Sequence, residues 1–168
     1  MKNCIVFLAC LALPQLRAAE IPAATVSAAK PLAFATHDGY FVSNKFEPAA
    51  PVSCVVITDQ SGFDHVFGVG MVMHDKSHRL PAGAFAKKLV VTAIHRGKAM
   101  LTYHVESVTA AAQTLIVTYT TTSRPDATAE FACPLIVSLD RGDFNTVRFV
   151  EDGKELKSLP IPPVQAAR

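Results

Sequence analysis

Residues 87–122 read KKLVVTAIHRGKAMLTYHVESVTAAAQTLIVTYTTT and carry the clearest strand pattern in the chain. Leu89–Ile94 is almost continuously apolar and rich in β-branched residues, as expected of a strand covered on both faces. Leu101–Glu106 and Gln113–Thr122 instead alternate apolar and polar residues, which is typical of strands with one face in the core. The stretch therefore predicts a meander of antiparallel strands, with its first tight turn at Arg96–Lys98.

Two Asp-Gly pairs lie between strand-like runs elsewhere in the chain, and both predict hairpins because the tight turn needs positive φ angles. We expect the first of these hairpins to form an edge or a flap of the sheet. The second closes the domain. The pairs are Asp38-Gly39 between Phe34–His37 and Tyr40–Ser43, and Asp152-Gly153 between Val147–Glu151 and Lys154–Leu156.

One segment has a helical pattern. Phe63, Val66 and Phe67 recur at helical spacing after a buried-looking strand. Asp59 or Ser61 stands just before them as a helix N-cap. The pattern predicts a short amphipathic helix whose aromatic side packs on the sheet.

These elements predict a mainly β fold, a single antiparallel β-sheet or sandwich domain with one short α-helix packed on it. We assign residues 1–19 to a signal peptide and residues 20–32 to a flexible leader. The β-rich domain then covers residues 33–158, and a Pro-rich tail covers residues 159–168.

The N-terminus carries the pattern of a secretory signal peptide. Lys2 gives a basic start, the apolar run Cys4–Leu13 follows, and Ala18-Ala19 is a small-residue cleavage site. This run is too short to cross a bilayer, and no later apolar stretch of about 18 residues is free of polar interruptions. We therefore predict an exported protein, secreted or periplasmic, with no integral membrane span.

Removal of the signal peptide leaves a chain without net charge. The whole sequence has 16 basic and 14 acidic residues, and Lys2 and Arg17 leave with the signal, so 14 basic residues remain. No basic cluster is present that would bind nucleic acid or an acidic membrane surface. The composition therefore argues against a nucleic-acid partner.

Two of the four cysteines, Cys4 and Cys10, also leave with the signal peptide. Cys54 and Cys133 then remain in an oxidising compartment, where they are expected to form one disulfide. The alternative is two separate buried thiols, because each cysteine lies beside an apolar strand and free cysteine is common in cores.

The order of elements, strand, short helix, buried strand, meander and Pro-led strand, resembles the C-terminal domain of the PrcB-like proteins. This family is named for a lipoprotein subunit of a surface protease complex. The likeness covers roughly Val52–Lys154, and this chain has Leu101-Thr102 where the family usually has a glycine pair before the tyrosine. The resemblance implies a non-catalytic accessory or binding module with no active site to transfer. The matching segments are Leu89–Val91, Tyr103–Val108, Leu115–Val117 and Pro134–Val137.

Histidines supply the candidates for chemistry. His74 and His78 are four residues apart and could hold a metal on a helical turn, although the same segment also fits a solvated loop. If the first two strands pair through the Arg96–Lys98 turn, His95 lies near the end of that hairpin. With His104 and Glu106 on the wetter face of the second strand, it forms a candidate acid–base cluster. The alternative is an ordinary surface pair, because alternation turns these polar groups outward.

Aromatic residues supply the candidates for binding. Tyr40, Phe41 and Phe46 could form a platform for a glycan or a small ligand, or they could pack in the core. The leading prediction is an exported, non-catalytic protein-binding or accessory module, with a protease as the candidate partner and no cofactor. The alternatives are a metal-binding protein or hydrolase that uses surface histidines, and a small-ligand or glycan-binding β module.

Overall fold

The structure is a computed structural model and describes residues 29–70 and 78–163. The predicted signal peptide at 1–19, most of the predicted leader, and residues 164–168 of the predicted tail lie outside the described residues. In the described ranges the chain forms a single α-helix, α1 (Gln60–Val66), and a short 3-10 helix (Ala84–Ala86). The strands are β1 (Lys30–Pro31), β2 (Phe34–His37), β3 (Tyr40–Val42), β4 (Val52–Ile57), β5 (Phe67–Val69), β6 (Lys88–Gly97), β7 (Ala99–Ala111), β8 (Thr114–Pro125), β9 (Phe131–Asp140), β10 (Thr146–Glu151) and β11 (Lys154–Pro160).

The strands form three sheets. Sheet A has the order β1-β7-β8-β10-β11, sheet B has the order β2-β9-β6-β4, and sheet C is the pair β3-β5. Every strand pair is antiparallel except β8–β10, which is parallel. The predicted class, a mainly β antiparallel domain with one short α-helix, is confirmed. No helix among the described residues is long and apolar enough to cross a membrane.

The main core lies between sheets A and B. Leu115, Val117 and Tyr119 project into it from β8 and are fully buried. Val91 and Ala93 of β6 meet them from sheet B and are also fully buried. Because each sheet packs one face against this core, the two sheets form a sandwich.

A second core lies on the other face of sheet B. Val90 and Ile94 of β6 project into it and contact a layer made of α1 and sheet C. Phe63 and Val66 from α1 are both 2% exposed. Strand β6 is therefore covered on both faces, which explains the almost continuous apolar run at Leu89–Ile94 and confirms its prediction as a central strand.

Helix α1 begins as its sequence indicates but ends at Val66, before the predicted helical residue Phe67. The Asp59 Oδ1 atom accepts a hydrogen bond of 2.8 Å from the Gly62 N–H, so Asp59 is the N-cap. At Phe67 the backbone becomes extended, and the chain continues directly into β5. Phe63, Val66 and Phe67 are all buried, as predicted, although Phe67 reaches the core from a strand.

Only the second of the two strand pairings in the predicted meander is confirmed. β7 and β8 form the expected antiparallel hairpin, but β6 does not pair with β7. The turn at Arg96–Lys98 carries the chain from sheet B to sheet A, and Gly97 has a φ of 154°, which L-residues rarely adopt. A tight turn is a local signal that suits a corner between sheets as well as a hairpin, so the turn alone did not determine the pairing.

Of the two predicted Asp-Gly turns, one closes a hairpin and the other carries the chain from one sheet to another. Asp152-Gly153 joins β10 to β11 with φ angles of 49° and 77°, and this hairpin is confirmed. The hairpin predicted at Asp38-Gly39 is wrong, because β2 pairs with β9 and β3 pairs with β5. Here the turn moves the chain from sheet B to sheet C.

The predicted disulfide is not formed, and Cys54 and Cys133 are separate buried thiols. Cys54 lies opposite Ala93, and Cys133 lies opposite His95, on the two sides of β6. Two strand spacings alone separate the cysteines by about 9–10 Å, and the offset between Ala93 and His95 along β6 increases this distance. That is beyond the roughly 7 Å between Cα atoms that a disulfide can bridge. The alternative of two buried thiols is the arrangement observed.

Both ends of the described chain are held by the sandwich. Lys30–Pro31 of the predicted leader pairs with β7, and Leu32 packs against the main core. At the other end, Leu159 and Ile161 of the predicted tail also pack there, and the Ile161 N–H donates to the Asn145 carbonyl at 2.8 Å. The folded domain therefore extends beyond the predicted limits of 33 and 158.

Candidate functional site

The four predicted binding residues lie on two opposite surfaces. Tyr40 and Phe41 belong to β3 in sheet C, which covers one face of sheet B. His104 and Glu106 belong to β7 in sheet A, which covers the other face. The structure therefore does not combine them into one site. Phe46, the third residue of the proposed aromatic platform, is 9% exposed and packs in the second core.

The Phe41 ring is the exposed aromatic group of the β3–β5 pair. Its side chain is 55% exposed, and the ring covers Gly68, the residue directly opposite on β5. A Cβ atom at position 68 would overlap this ring. Glycine at position 68 is therefore what allows the ring to approach the neighbouring strand so closely.

Tyr40 projects from the other face of β3, toward α1. Its ring packs edge-on against Phe63, with 5.0 Å between centroids and an interplanar angle of 85°. Its hydroxyl oxygen accepts a hydrogen bond of 3.0 Å from the Leu80 N–H. Tyr40 thus fixes the segment that enters the 3-10 helix against the hairpin.

A cleft of about 420 Å³ opens between this segment, α1 and the hairpin. This volume lies within the range of small-ligand pockets. Tyr40, Phe63 and Phe67 give the cleft an aromatic floor, and Leu80 and Pro81 form an apolar wall. We call it the Tyr40 cleft.

The two charged side chains that line the Tyr40 cleft differ in how fully they are hydrogen-bonded. Asp64 Oδ1 accepts from Gln60 Nε2 at 2.8 Å, so that carboxylate has a partner on its own helix. Arg79 Nη2 donates to the Gly70 carbonyl at 2.7 Å, but Arg79 Nε is shielded from solvent and has no hydrogen-bond partner. Among the described residues, no carboxylate forms an ion pair with Arg79.

His104 and Glu106 are both exposed, on the long strand at one side of sheet A. His104 lies opposite Thr120 on β8, and Glu106 is the extra residue of a β-bulge between Val105 and Ser107. Neither side chain forms a hydrogen bond or an ion pair with the described residues. Their position at a sheet edge, rather than their chemistry, makes them notable.

The edge of β7 is largely unpaired. On this side β1 pairs only with Thr109 and Ala110, and the Leu32 N–H donates to the Val108 carbonyl at 2.9 Å. From Ala99 to Ser107 no strand within residues 29–70 and 78–163 pairs with this edge. We call Ala99–Ser107 the open edge.

His95 does not join His104 and Glu106, because β6 and β7 lie in different sheets. Its ring lies between the sheets, where Nε2 is 2.7 Å from Oε2 of Glu151. The Tyr119 hydroxyl donates to the same oxygen at 3.0 Å. Burial, followed by the charge of Glu151, raises the pKa of Tyr119, so its hydroxyl stays protonated. The predicted acid–base cluster is replaced by a bridge between the sheets.

The predicted metal pair is only partly described. His74 lies outside the described residues, and His78 is exposed. In the part of the chain that the structure describes, no group of three or more His, Cys, Asp or Glu side chains is placed to hold a metal ion. The described residues therefore offer no support for a metal centre.

A histidine–serine pair was missed by sequence reasoning. His37 Nδ1 is 2.9 Å from the His78 carbonyl, and His37 Nε2 is 2.7 Å from Ser138 Oγ. The carbonyl can only accept, so Nδ1 carries the proton and Nε2 accepts from the serine hydroxyl. Burial lowers the pKa of His37, in keeping with a neutral ring. Ser138 is 1% exposed, which leaves no room for a substrate.

The residues that sequence reasoning missed share one property, which is a partner far away in the chain. Ser138 is 101 residues from His37, and Leu80 is 40 residues from Tyr40. No short motif could indicate either contact.

The chain was also compared with known proteins, and no model of a protein family, no curated protein and no solved structure matches it.

Proposed function

We propose that this protein is an exported, non-catalytic module that binds a partner protein by accepting an extended segment at the open edge. The observation that carries the proposal is that Ala99–Ser107 has no paired strand on one side. Unpaired N–H and C=O groups of an edge strand are a template for another strand. Adding a strand there would extend sheet A without disturbing its core.

The contacts at the ends of the open edge indicate which backbone groups are available for such pairing. The Leu101 N–H points to this side, where it already donates to Cys133 Sγ at 3.3 Å and is therefore not itself available for pairing. Backbone direction repeats every second residue along a strand, so Tyr103 and Val105 present their N–H and C=O groups on the same side. These two residues are the centre of the proposed pairing.

The open edge also lacks most of the features that protect edge strands. Protected edges carry proline, lysine or a bulge that prevents pairing. Between Ala99 and Val105 there is no proline and no charged side chain other than His104 when protonated. The bulge at Glu106 limits pairing only at the far end. The sequence thus leaves this stretch open to a partner.

Export and the class of partner rest on sequence. The basic start and apolar run of residues 1–19 support export. The resemblance to PrcB-like proteins supports a protease, or a protein of a protease complex, as partner. The alternatives based on histidines gain no comparable support, because His95 and His104 lie on strands of different sheets and His78 lies in a turn.

The test compares lysine substitutions at two neighbouring threonines. Thr102 and Thr122 lie directly opposite each other and are both exposed, but only Thr102 is on the edge strand. The chain from Glu20 is used to capture its partner from the native exported fraction, and affinities for the identified partner are then measured. We expect Thr102→Lys to weaken binding at least about tenfold, or about 1.4 kcal/mol.

Thr122→Lys is the matched control, since it adds the same charge to the same face without touching the edge. Its affinity should stay within about twofold of the original, and both variants should melt at the same temperature. Equal binding by all three proteins would exclude the open edge as the binding site. An equal loss in both variants would point to the face of sheet A instead and would also contradict strand addition.

A further inference from the structure

We infer that the Tyr40 cleft is a second, separate site, which binds a small carboxylate with an apolar aromatic or aliphatic body. This inference does not depend on the proposed function, because the open edge lies in sheet A and the cleft lies across sheet B from it. It rests on three features of the cleft: its floor, its cation and the rigidity of its walls.

The floor selects an apolar body. Tyr40, Phe63 and Phe67 form a contiguous aromatic cluster, with 5.0 Å between the centroids of Phe63 and Phe67. Val69 stands at the rim of the cleft and is 57% exposed. A ligand that covered Val69 and the floor would remove apolar surface from water, which is favourable by about 25 cal/mol per Å².

The cation selects a carboxylate. Arg79 lines the cleft and has one hydrogen bond, to the Gly70 carbonyl at 2.7 Å, and no counter-ion within the described ranges. Its Nε is already out of water without a partner, so the guanidinium is incompletely solvated. An anion at the open side of such a group interacts more strongly than it would with a fully hydrated arginine.

The acidic residue of the lining does not strongly disfavour the binding of a carboxylate ligand. Asp64 is on α1 and its carboxylate is bound by Gln60. It forms no ion pair with Arg79. A ligand with one carboxylate next to Arg79 and its body on the aromatic floor therefore satisfies the cation without having to displace an existing salt bridge.

The walls are held in place before any ligand binds. The Tyr40 hydroxyl fixes the Leu80 backbone at 3.0 Å, and Arg79 ties its own segment to Gly70 at the end of β5. The Gly70 N–H in turn donates to the Gly39 carbonyl at 2.8 Å. A site whose walls are fixed in this way loses little conformational freedom on binding.

The test uses calorimetry with 4-phenylbutyrate and its uncharged amide as probes, on the chain from Glu20. We expect the acid to bind at least about tenfold more tightly than the amide. Arg79→Gln should abolish this preference while leaving the affinity for the amide within about twofold. Arg148→Gln, which removes an arginine from sheet A, is the control and should keep the preference.

Methyl resonances place the ligand, since Val69 and Leu80 should shift on addition of the acid and Val150 should not. Arg79→Lys, which keeps the charge, should retain part of the preference and shows that the effect is not caused by misfolding. Equal affinities for acid and amide, no detectable binding of either, or an unchanged preference in Arg79→Gln would each overturn the inference. None of these results would bear on strand addition at the open edge.

Discussion

The carboxylate of Glu151 forms a polar link between the two large sheets. It accepts hydrogen bonds from Tyr119 of its own sheet and from the His95 ring of the opposite sheet. The side chains of His95 and Glu151 are 16% and 19% exposed, so water can replace these bonds only in part. Removing the shared acceptor therefore leaves two donors poorly satisfied.

We expect Glu151→Gln to lower the free energy of unfolding by about 1–2 kcal/mol, because an amide oxygen in the place of Oε2 can still accept from both donors but lacks the negative charge that strengthens the two bonds. Urea denaturation measures the loss. Glu155→Gln is the control, since Glu155 is half exposed and lies 3.7 Å from Arg148. Its loss should stay below about 0.5 kcal/mol. Similar losses for both variants would show that the bridge contributes nothing special.

At the level of single residues, only part of the candidate sites could be predicted from the sequence. Tyr40 and Phe41 could be named because they flank a turn in a strand-like run. Arg79 could not be named, because its significance depends on a return of the chain to Tyr40 and Gly70. His95 was named for the wrong neighbours, since its true partner, Glu151, is 56 residues away.

The glycine of the β10–β11 turn and the glycine of α1 differ in backbone conformation, and substitutions can measure the effect of this difference on stability. Gly153 in the β10–β11 turn has a φ of 77°, and a Cβ there would meet nothing within 4 Å. Gly62 in α1 has no such φ, and a Cβ there would make an ordinary contact of 3.4 Å with Ile57. Backbone conformation alone therefore sets the two positions apart.

We expect Gly153→Ala to destabilise the protein by about 1–2 kcal/mol, the cost of a left-handed backbone for an L-residue. Gly62→Ala should stabilise it by roughly 0.5–1 kcal/mol, because alanine loses less freedom than glycine on entering a helix. Melting temperatures and urea midpoints of the two variants should thus move in opposite directions. A shift of the same sign in both would contradict the assigned turn or the assigned helix.

Elements could be predicted from the sequence more reliably than their neighbours. Period-two alternation and apolar runs located β4, β6, β7, β8 and the β10–β11 hairpin, and helical spacing located α1. The pairings of β6 with β9 and of β2 with β9 were not predicted. Alternation describes which side of a strand is buried, but the partner strand is chosen by contacts across the whole chain.

The strands of residues 29–70 and 78–163 hold together without a disulfide between them. Cys54 and Cys133 are buried on one face of sheet B, with β6 between them. Burial raises the pKa of the Cys54 thiol to about 11. The thiolate is the reactive form, so this cysteine should be inert in the folded protein.

We therefore expect the chain from Glu20 to melt at the same temperature with and without a reductant. Two thiols should react with a thiol reagent in denaturant, and Cys54 should react far more slowly in buffer. Intact mass spectrometry after oxidative export provides the direct check. A mass lower by two hydrogens, together with a lower melting temperature in reductant, would contradict the separation of the two cysteines.

The parallel pairing of β8 with β10 has a consequence for the nascent chain. β8 ends at Pro125 and its neighbour begins at Thr146, after β9 has joined the other sheet. Pairing across such a separation slows folding, and until it occurs β8 presents an edge to other chains. A polypeptide that pauses in synthesis or translocation before Thr146 is thus the species most exposed to aggregation, and the stage at which a chaperone would be most useful.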